Sequence, residues 1–154
     1  MGRITRHQMF MELAHTVAKR ATCYRLSVGC VIAIEKRIAS YGYNGPGPGE
    51  DHCYGATCAS EHCTRAIHAE VNALRQLSAR DKLARHKVAY LTDSPCFACA
   101  NELAKARIES VYYQAEYRIK TGVEYLLCAG VNVYRMTKSG LITDVNTGQL
   151  VGQE

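Results

Sequence analysis

The sequence predicts an α/β fold in three layers, with a mixed five-stranded sheet between helices. Three observations carry this expectation. Residues 28–34 form a nearly continuous apolar run, Val28-Gly29-Cys30-Val31-Ile32-Ala33-Ile34, which suits a strand buried on both faces. A tight turn at Glu35-Lys36 folds Arg37 to Tyr43 back on it as the second arm of a hairpin. Beyond the hairpin, single strands alternate with helical stretches, an order that implies parallel pairing through right-handed crossovers.

The elements are justified in turn. Thr5-Arg6-His7-Gln8 reads as a capping box, and Met9, Phe10, Leu13, Ala14, Val17 and Ala18 recur behind it at helical spacing, up to about Lys19-Arg20. His15 on that helix reads as a packed or surface histidine, and Cys30 as a small core residue. Asn44-Gly45-Pro46-Gly47-Pro48-Gly49 stops the hairpin abruptly. A second helix is expected from about Ile67 to Leu77 or Ala79, then a charged connection from Arg80 to Lys87, then a strand at Val88-Ala89-Tyr90-Leu91-Thr92. Asp93-Ser94-Pro95 suggests a helix start with Ser94 as N-cap and Pro95 at the first helical position. That helix should reach Ala106 or Arg107, and Ser110 to Tyr113 should form the next strand. A last helix near Gly122 to Ala129 stops at Gly130, and Val131 to Tyr134 is the last expected strand. The polar remainder, about 136–154, reads as a weakly ordered tail of a single domain spanning 1–154.

With 154 residues, 47% hydrophobic and 21% charged, the chain can bury a real core. The N-terminus lacks the apolar stretch of a signal peptide, and no apolar run is long enough to span a membrane, so a cytoplasmic protein is expected. In that setting eight cysteines point to metal ligands or buried apolar residues more than to disulfides. A net charge of +5 on scattered basic residues, with no tryptophan, does not mark a nucleic-acid-binding surface. A phosphorylated small substrate fits that balance equally well.

The chemistry sits in two short stretches, His68-Ala69-Glu70 and Pro95-Cys96-Phe97-Ala98-Cys99, each opening an apolar helical stretch. Helix starts favour thiolates and anions through their unpaired N–H groups and macrodipole. Cys96 and Cys99, three apart, can present both sulfurs to one metal on one helical face. With His68 they make three protein ligands, which leaves a fourth position open, the mark of catalytic zinc. Glu70 then stands nearby as a carboxylate free to move protons. The alternative is a structural zinc knuckle with Glu70 as a surface charge. His-x-Glu followed by Pro-Cys-x-x-Cys is the known signature of zinc-dependent nucleobase deaminases. A bound zinc would make hydroxide available near neutral pH for attack on an amino-bearing ring carbon.

The stretch from Asn44 to Thr64 is long and poor in aliphatics but holds Cys53, Cys58, His62 and Cys63. A second, structural zinc could tie it down, with Cys23, Cys53, His62 and Cys63 as ligands. Because His62 and Cys63 are adjacent, Cys58 or His52 could replace one of them. Unligated cysteines in a loop are the other reading.

Further stretches extend the match: 19–25 (Lys19 to Arg25), Gly42-Tyr43-Asn44-Gly45, 62–74 (His62 to Leu74), Ser94 to Cys99, Tyr117-Arg118 and Ala129 to Val133. On these the chain resembles the deoxycytidylate (dCMP) deaminases of the zinc-dependent cytidine deaminase superfamily. The resemblance implies a cytidine deaminase-like fold and hydrolysis of dCMP to dUMP, a thymidylate precursor. It implies Asn44 touching sugar and base, the Ala69 N–H holding the pyrimidine carbonyl, and the Ser94 carbonyl accepting the exocyclic amine. Arg25, Tyr117 and Arg118 are placed by it near the 5′-phosphate, against the plainer reading of a surface ion pair or packed tyrosine. A homohexamer regulated by dCTP and dTTP is also implied, though no stretch locates an effector site. A dCTP deaminase would share every zinc residue, and a zinc-stabilised nucleic-acid-binding module is the non-enzymatic alternative.

Overall fold

The structure, a computed structural model, describes residues 2–23, 26–52 and 66–152. Helix α1 (Arg6–Ala18) opens with Thr5 as N-cap. Thr5 Oγ1 accepts from the Gln8 N–H, and Gln8 Oε1 accepts from the Thr5 N–H, so the capping box is realised. Its buried face is Phe10, Met11, Ala14 and Ala18. Met11 thus takes the inward place expected of Met9, which is exposed.

Strands β1 (Gly29–Ile34) and β2 (Arg37–Tyr43) form the antiparallel hairpin, and every residue of β1 is buried. Glu35 and Lys36 both take positive φ at its turn, 49° and 72°. Such a turn matches the right-handed twist of the arms. Helix α2 (Ala69–Arg75) is shorter than expected. The charged connection contains a further one-turn helix, α3 (Ala79–Leu83), started by Ser78, whose side chain accepts from the Asp81 N–H. Arg37 holds this helix to β2 through Asp81 at 2.6 Å. Fully buried Lys87 donates to the carbonyls of Lys82 and Ala84, both at 2.8 Å, and closes its C-terminal end.

Strand β3 (Lys87–Asp93), helix α4 (Phe97–Lys105), strand β4 (Ile108–Ala115), helix α5 (Thr121–Cys128) and strand β5 (Asn132–Met136) complete the two crossovers. β3 pairs with β4 and β4 with β5 in parallel, while β1 pairs with β3 antiparallel. The mixed sheet is therefore present. α5 ends as expected at Gly130, φ 81°, whose N–H reaches the Leu127 carbonyl while that of Val131 reaches Leu126.

The tail expectation is overturned. Strands β6 (Ile142–Asp144) and β7 (Leu150–Val151) extend the sheet to seven strands in the order β2-β1-β3-β4-β5-β6-β7. One side chain accounts for most of this: Ile142, 2% exposed, inserts into the core under α1 beside Met136. Ile142→Ala should cost about 2–4 kcal/mol in urea unfolding, the usual range for emptying such a site. A loss below about 0.5 kcal/mol would show that the β6 strand is only a surface addition.

The two faces of the sheet differ. Helices α2, α4 and α5 cover one, packing Ala69, Ala73, Ala100, Leu103, Val123 and Leu126 on Cys30, Ile32, Ala89, Leu91, Val111 and Val133. On the other face α1 covers an aromatic ladder. Tyr90, Tyr112 and Tyr134 stand opposite one another on β3, β4 and β5 and stack at 5.0 and 4.7 Å between ring centroids. His7 lies on the Tyr112 ring at 4.5 Å, and its Nδ1 is 2.8 Å from Tyr90 Oη. No helix among the described residues is long and apolar enough to cross a membrane.

Candidate active site

His68 and Cys96 are the N-caps of α2 and α4, with extended backbones at φ, ψ of −71°, 154° and −71°, 169°. Both stretches therefore sit at helix starts, as expected. The cap of α4 is Cys96, however, and not Ser94. Ser94 Oγ is occupied elsewhere, accepting from the Tyr117 N–H at 2.7 Å.

Direct backbone contact puts the two helix starts in place. A Cβ on Gly42 would lie 2.3 Å from the Ala69 carbonyl oxygen and 2.4 Å from the Ala73 nitrogen, so α2 rests on β2 with no room for a side chain. A Cβ on Gly122 would lie 2.0 Å from the Pro95 carbonyl oxygen, so α5 abuts the Pro95-Cys96 peptide in the same way. Gly45 and Ile67 exchange two backbone hydrogen bonds, joining the end of β2 to the residue before His68. Asn72 Nδ2 donates to the Tyr43 carbonyl at 2.9 Å and repeats that tie one turn into α2. Sequence reading assigned no role to Gly42, Gly122 or Asn72. A glycine inside a strand pattern does signal close backbone approach, which is the cue Gly42 offered.

The result is one cluster. Among the described residues, His68, Cys96 and Cys99 form the one group of three or more such ligands whose donor atoms come close, all within 4.8 Å. His68 Nδ1 faces both sulfurs, 3.1 Å from Cys99 Sγ and 3.6 Å from Cys96 Sγ. A tetrahedral zinc with ordinary Zn–N and Zn–S bonds separates such donors by about 3.6 Å. The set fits a zinc ion: two soft thiols, one imidazole, and an exposed His68 rim. The Cys96 thiol is pulled down to about 4, chiefly by its hydrogen bond from Cys99 and then by the one with His68. Cys99 is pushed upward by that same partner and by burial, so Cys96 is the first of the two to become a thiolate.

Glu70 lies on the first turn of α2, 4% exposed, hydrogen-bonded to Cys99. Burial raises its carboxyl above the usual range, against the opposing pull of its own backbone N–H and of His68. Beneath it, fully buried Cys30 is also raised, by desolvation first and then by the Glu70 charge.

The remaining residues fall around this centre. The carboxyl end of β3, which leads into Cys96, is where the sheet changes from antiparallel to parallel pairing, and open α/β sheets place ligands at such points. Ala69 is buried, with its N–H in the first turn of α2. Asn44 is buried, but its amide already serves the chain: Oδ1 accepts from the Val28 N–H at 2.8 Å and Nδ2 donates to the Leu26 carbonyl at 2.6 Å. Tyr117 and Arg118 are exposed just past β4, at the same sheet edge as Cys96. Arg25 lies outside the described residues, as do Cys53, Cys58, His62 and Cys63 of the suggested second zinc. Of that set the structure places Cys23, half-buried, and His52, exposed, the latter lining a cavity of about 270 Å³ with Thr22, Tyr43, Gly45 and Asn72. A larger groove, about 510 Å³, runs between α1 and the ends of β4 and β5 on the other face.

A family described as the cytidine and deoxycytidylate deaminase zinc-binding region matches residues 4–115. The chain belongs to that family. ComE operon protein 2 of Bacillus subtilis (strain 168) is 38% identical over 148 residues, covering 94% of this chain and 78% of the relative. The deoxycytidylate deaminase of Mycobacterium phage D29 is 34% identical over 131 residues, 75% of this chain and 99% of that protein. Among solved structures, the dCMP deaminase of cyanophage S-TIM5 in complex with dCMP and dUMP superposes with a TM-score of 0.74 at 30% identity. That match covers 84% of this chain and 95% of the phage chain. The fold is thus the cytidine deaminase-like one, with a mixed sheet flanked by helices.

Proposed function

We propose that the chain is a single catalytic domain that hydrolyses dCMP to dUMP and ammonia with one catalytic zinc. The observation that carries this is the convergence of His68, Cys96 and Cys99 beside a buried Glu70. Support for the substrate comes from the phage relatives named for dCMP. In this reading His68, Cys96 and Cys99 hold the zinc, which when bound supplies the Lewis acidity that makes water nucleophilic near neutral pH. Glu70 takes one proton from the attacking water and delivers it to ring N3. Glu70 then takes the second from the hydroxyl now on C4 and gives it to the amine, which leaves as ammonia while the C4 carbonyl forms. Its raised basicity suits both duties, because a group poised nearer neutrality can accept and return a proton. The Ala69 N–H holds the pyrimidine carbonyl and the Ser94 carbonyl accepts the exocyclic amine. Asn44 is anchored to residues 26 and 28, and among the described residues its second N–H and second acceptor site take no further partner, which suits the substrate's sugar and base. A cytoplasmic homohexamer responsive to dCTP and dTTP, with a second zinc near Cys23, completes the proposal.

Arg118, with Tyr117 and Arg25, is assigned to the 5′-phosphate. Ammonia release should be measured on cytidine, deoxycytidine, dCMP, dCTP and a single-stranded oligonucleotide, with dCMP expected to be turned over best. Better turnover of dCTP would move the assignment to the triphosphate. Arg118→Ala should lower kcat/KM for dCMP roughly ten- to a hundredfold, since a charge-assisted bond contributes about 1.5–3 kcal/mol, and should affect deoxycytidine little. Equal losses on both substrates would place Arg118 in the scaffold.

A further inference from the structure

The segment carrying Tyr117 and Arg118 is fastened at both ends to one short stretch, Ser94-Pro95-Cys96. At its start the Tyr117 N–H donates to Ser94 Oγ at 2.7 Å, while the Ser94 N–H donates to the Ala115 carbonyl at 2.8 Å. At its far end Gly122 lies against Pro95 and Cys96 with no space for a Cβ. Between these points Glu116 pairs with Arg135 at 3.2 Å and with Lys120 at 3.6 Å. Ser94 is 6% exposed, and its oxygen serves this loop and not the N-terminus of α4.

We propose that Ser94 is a positioning residue for phosphate recognition, its hydroxyl oxygen setting the spacing between Arg118 and the metal ligands. This rests on the phosphate role of Arg118 given above. A nucleoside monophosphate has a nearly fixed reach from ring C4 to phosphorus. A small shift of the loop relative to Cys96 therefore costs phosphate recognition even with every ligand in place. Removing the acceptor leaves the Tyr117 N–H without its partner and releases the arch at one end.

The test compares Ser94→Ala, Ser94→Thr and Ser94→Val in the zinc-loaded protein. Threonine and valine are isosteric and differ at the hydroxyl, so they repeat the comparison should the alanine variant fold poorly. The preference for dCMP over deoxycytidine in kcat/KM should drop about five- to twentyfold in the alanine and valine variants and be regained with threonine. Hydrogen-exchange protection of amides 116–120 should fall in the same two variants. Crossed with Arg118→Ala, the Ser94→Ala change should produce little further loss on dCMP. Equal losses on both substrates, unaltered exchange, or full additivity with Arg118→Ala would overturn the positioning role while the phosphate reading stands. An Arg118→Ala variant that keeps the parent's dCMP preference would remove both.

Discussion

Glu70→Gln should keep as much zinc per chain as the parent and lose about 10²–10⁴-fold in kcat, the range associated with general acid–base catalysis. Glutamine matches glutamate in size, so the buried first turn of α2 is not reopened. His68, Cys96 and Cys99 do not need the carboxylate to come within 4.8 Å of one another. Glu70 is also the only one of the four that the geometry leaves outside the donor set. Metal analysis with steady-state assays on dCMP decides the matter. Activity within tenfold of the parent would remove Glu70 from the proton path, and loss of the zinc would make it a ligand.

Gly42→Ala should damage both the fold and the site. The new Cβ meets the Ala69 carbonyl oxygen and the Ala73 nitrogen, both helix backbone, so no flexible side chain can give way. Helix α2 must lift from β2, carrying His68 and Glu70 with it. Overpacking of this kind costs about 1–3 kcal/mol and occasionally more, and the same shift should weaken zinc retention and turnover. Gly130→Ala is the control. Its Cβ would meet nothing within 4 Å, and only the positive φ of 81° resists it, for about 1 kcal/mol. Thermal unfolding and zinc content of the two variants should separate clearly. Similar behaviour would mean that α2 tolerates displacement.

What the sequence revealed follows from where each signal is local. The Thr5/Gln8 box, the Glu35-Lys36 turn, the apolar run of β1 and the stop at Gly130 all declare themselves within a few residues, and all are present. The cluster of His68, Cys96 and Cys99 was legible for the same reason, because His68 and Cys96 each mark a helix start. The misses are short or non-local. α3 has five residues, its buried member is Asp81, and Leu83 is exposed, so no apolar stripe announced it. β6 and β7 depend on one inserted isoleucine and on pairing with strands already formed. Ser94 looked like a helix cap because Ser-Pro is a good local start. Its oxygen was taken by an N–H 23 residues away, which no window of sequence displays. The clearances at Gly42 and Gly122 belong to pairs of elements and exist only after assembly.

The stacked tyrosines give the sheet an optical consequence. The chain has ten tyrosines, two phenylalanines and no tryptophan, so its near-ultraviolet bands belong almost entirely to phenol rings. Three of those rings overlap across β3, β4 and β5, an arrangement that exists only when both parallel crossovers are in register. Transition dipoles held this close couple to one another, and circular dichroism in that region therefore reports completion of the sheet. The ladder lies on the face under α1, whereas α2 and α4, whose starts hold the cluster of His68, Cys96 and Cys99, cover the opposite face. The circular dichroism of the ladder thus reports on the sheet itself and not on the helix starts that bring His68, Cys96 and Cys99 together.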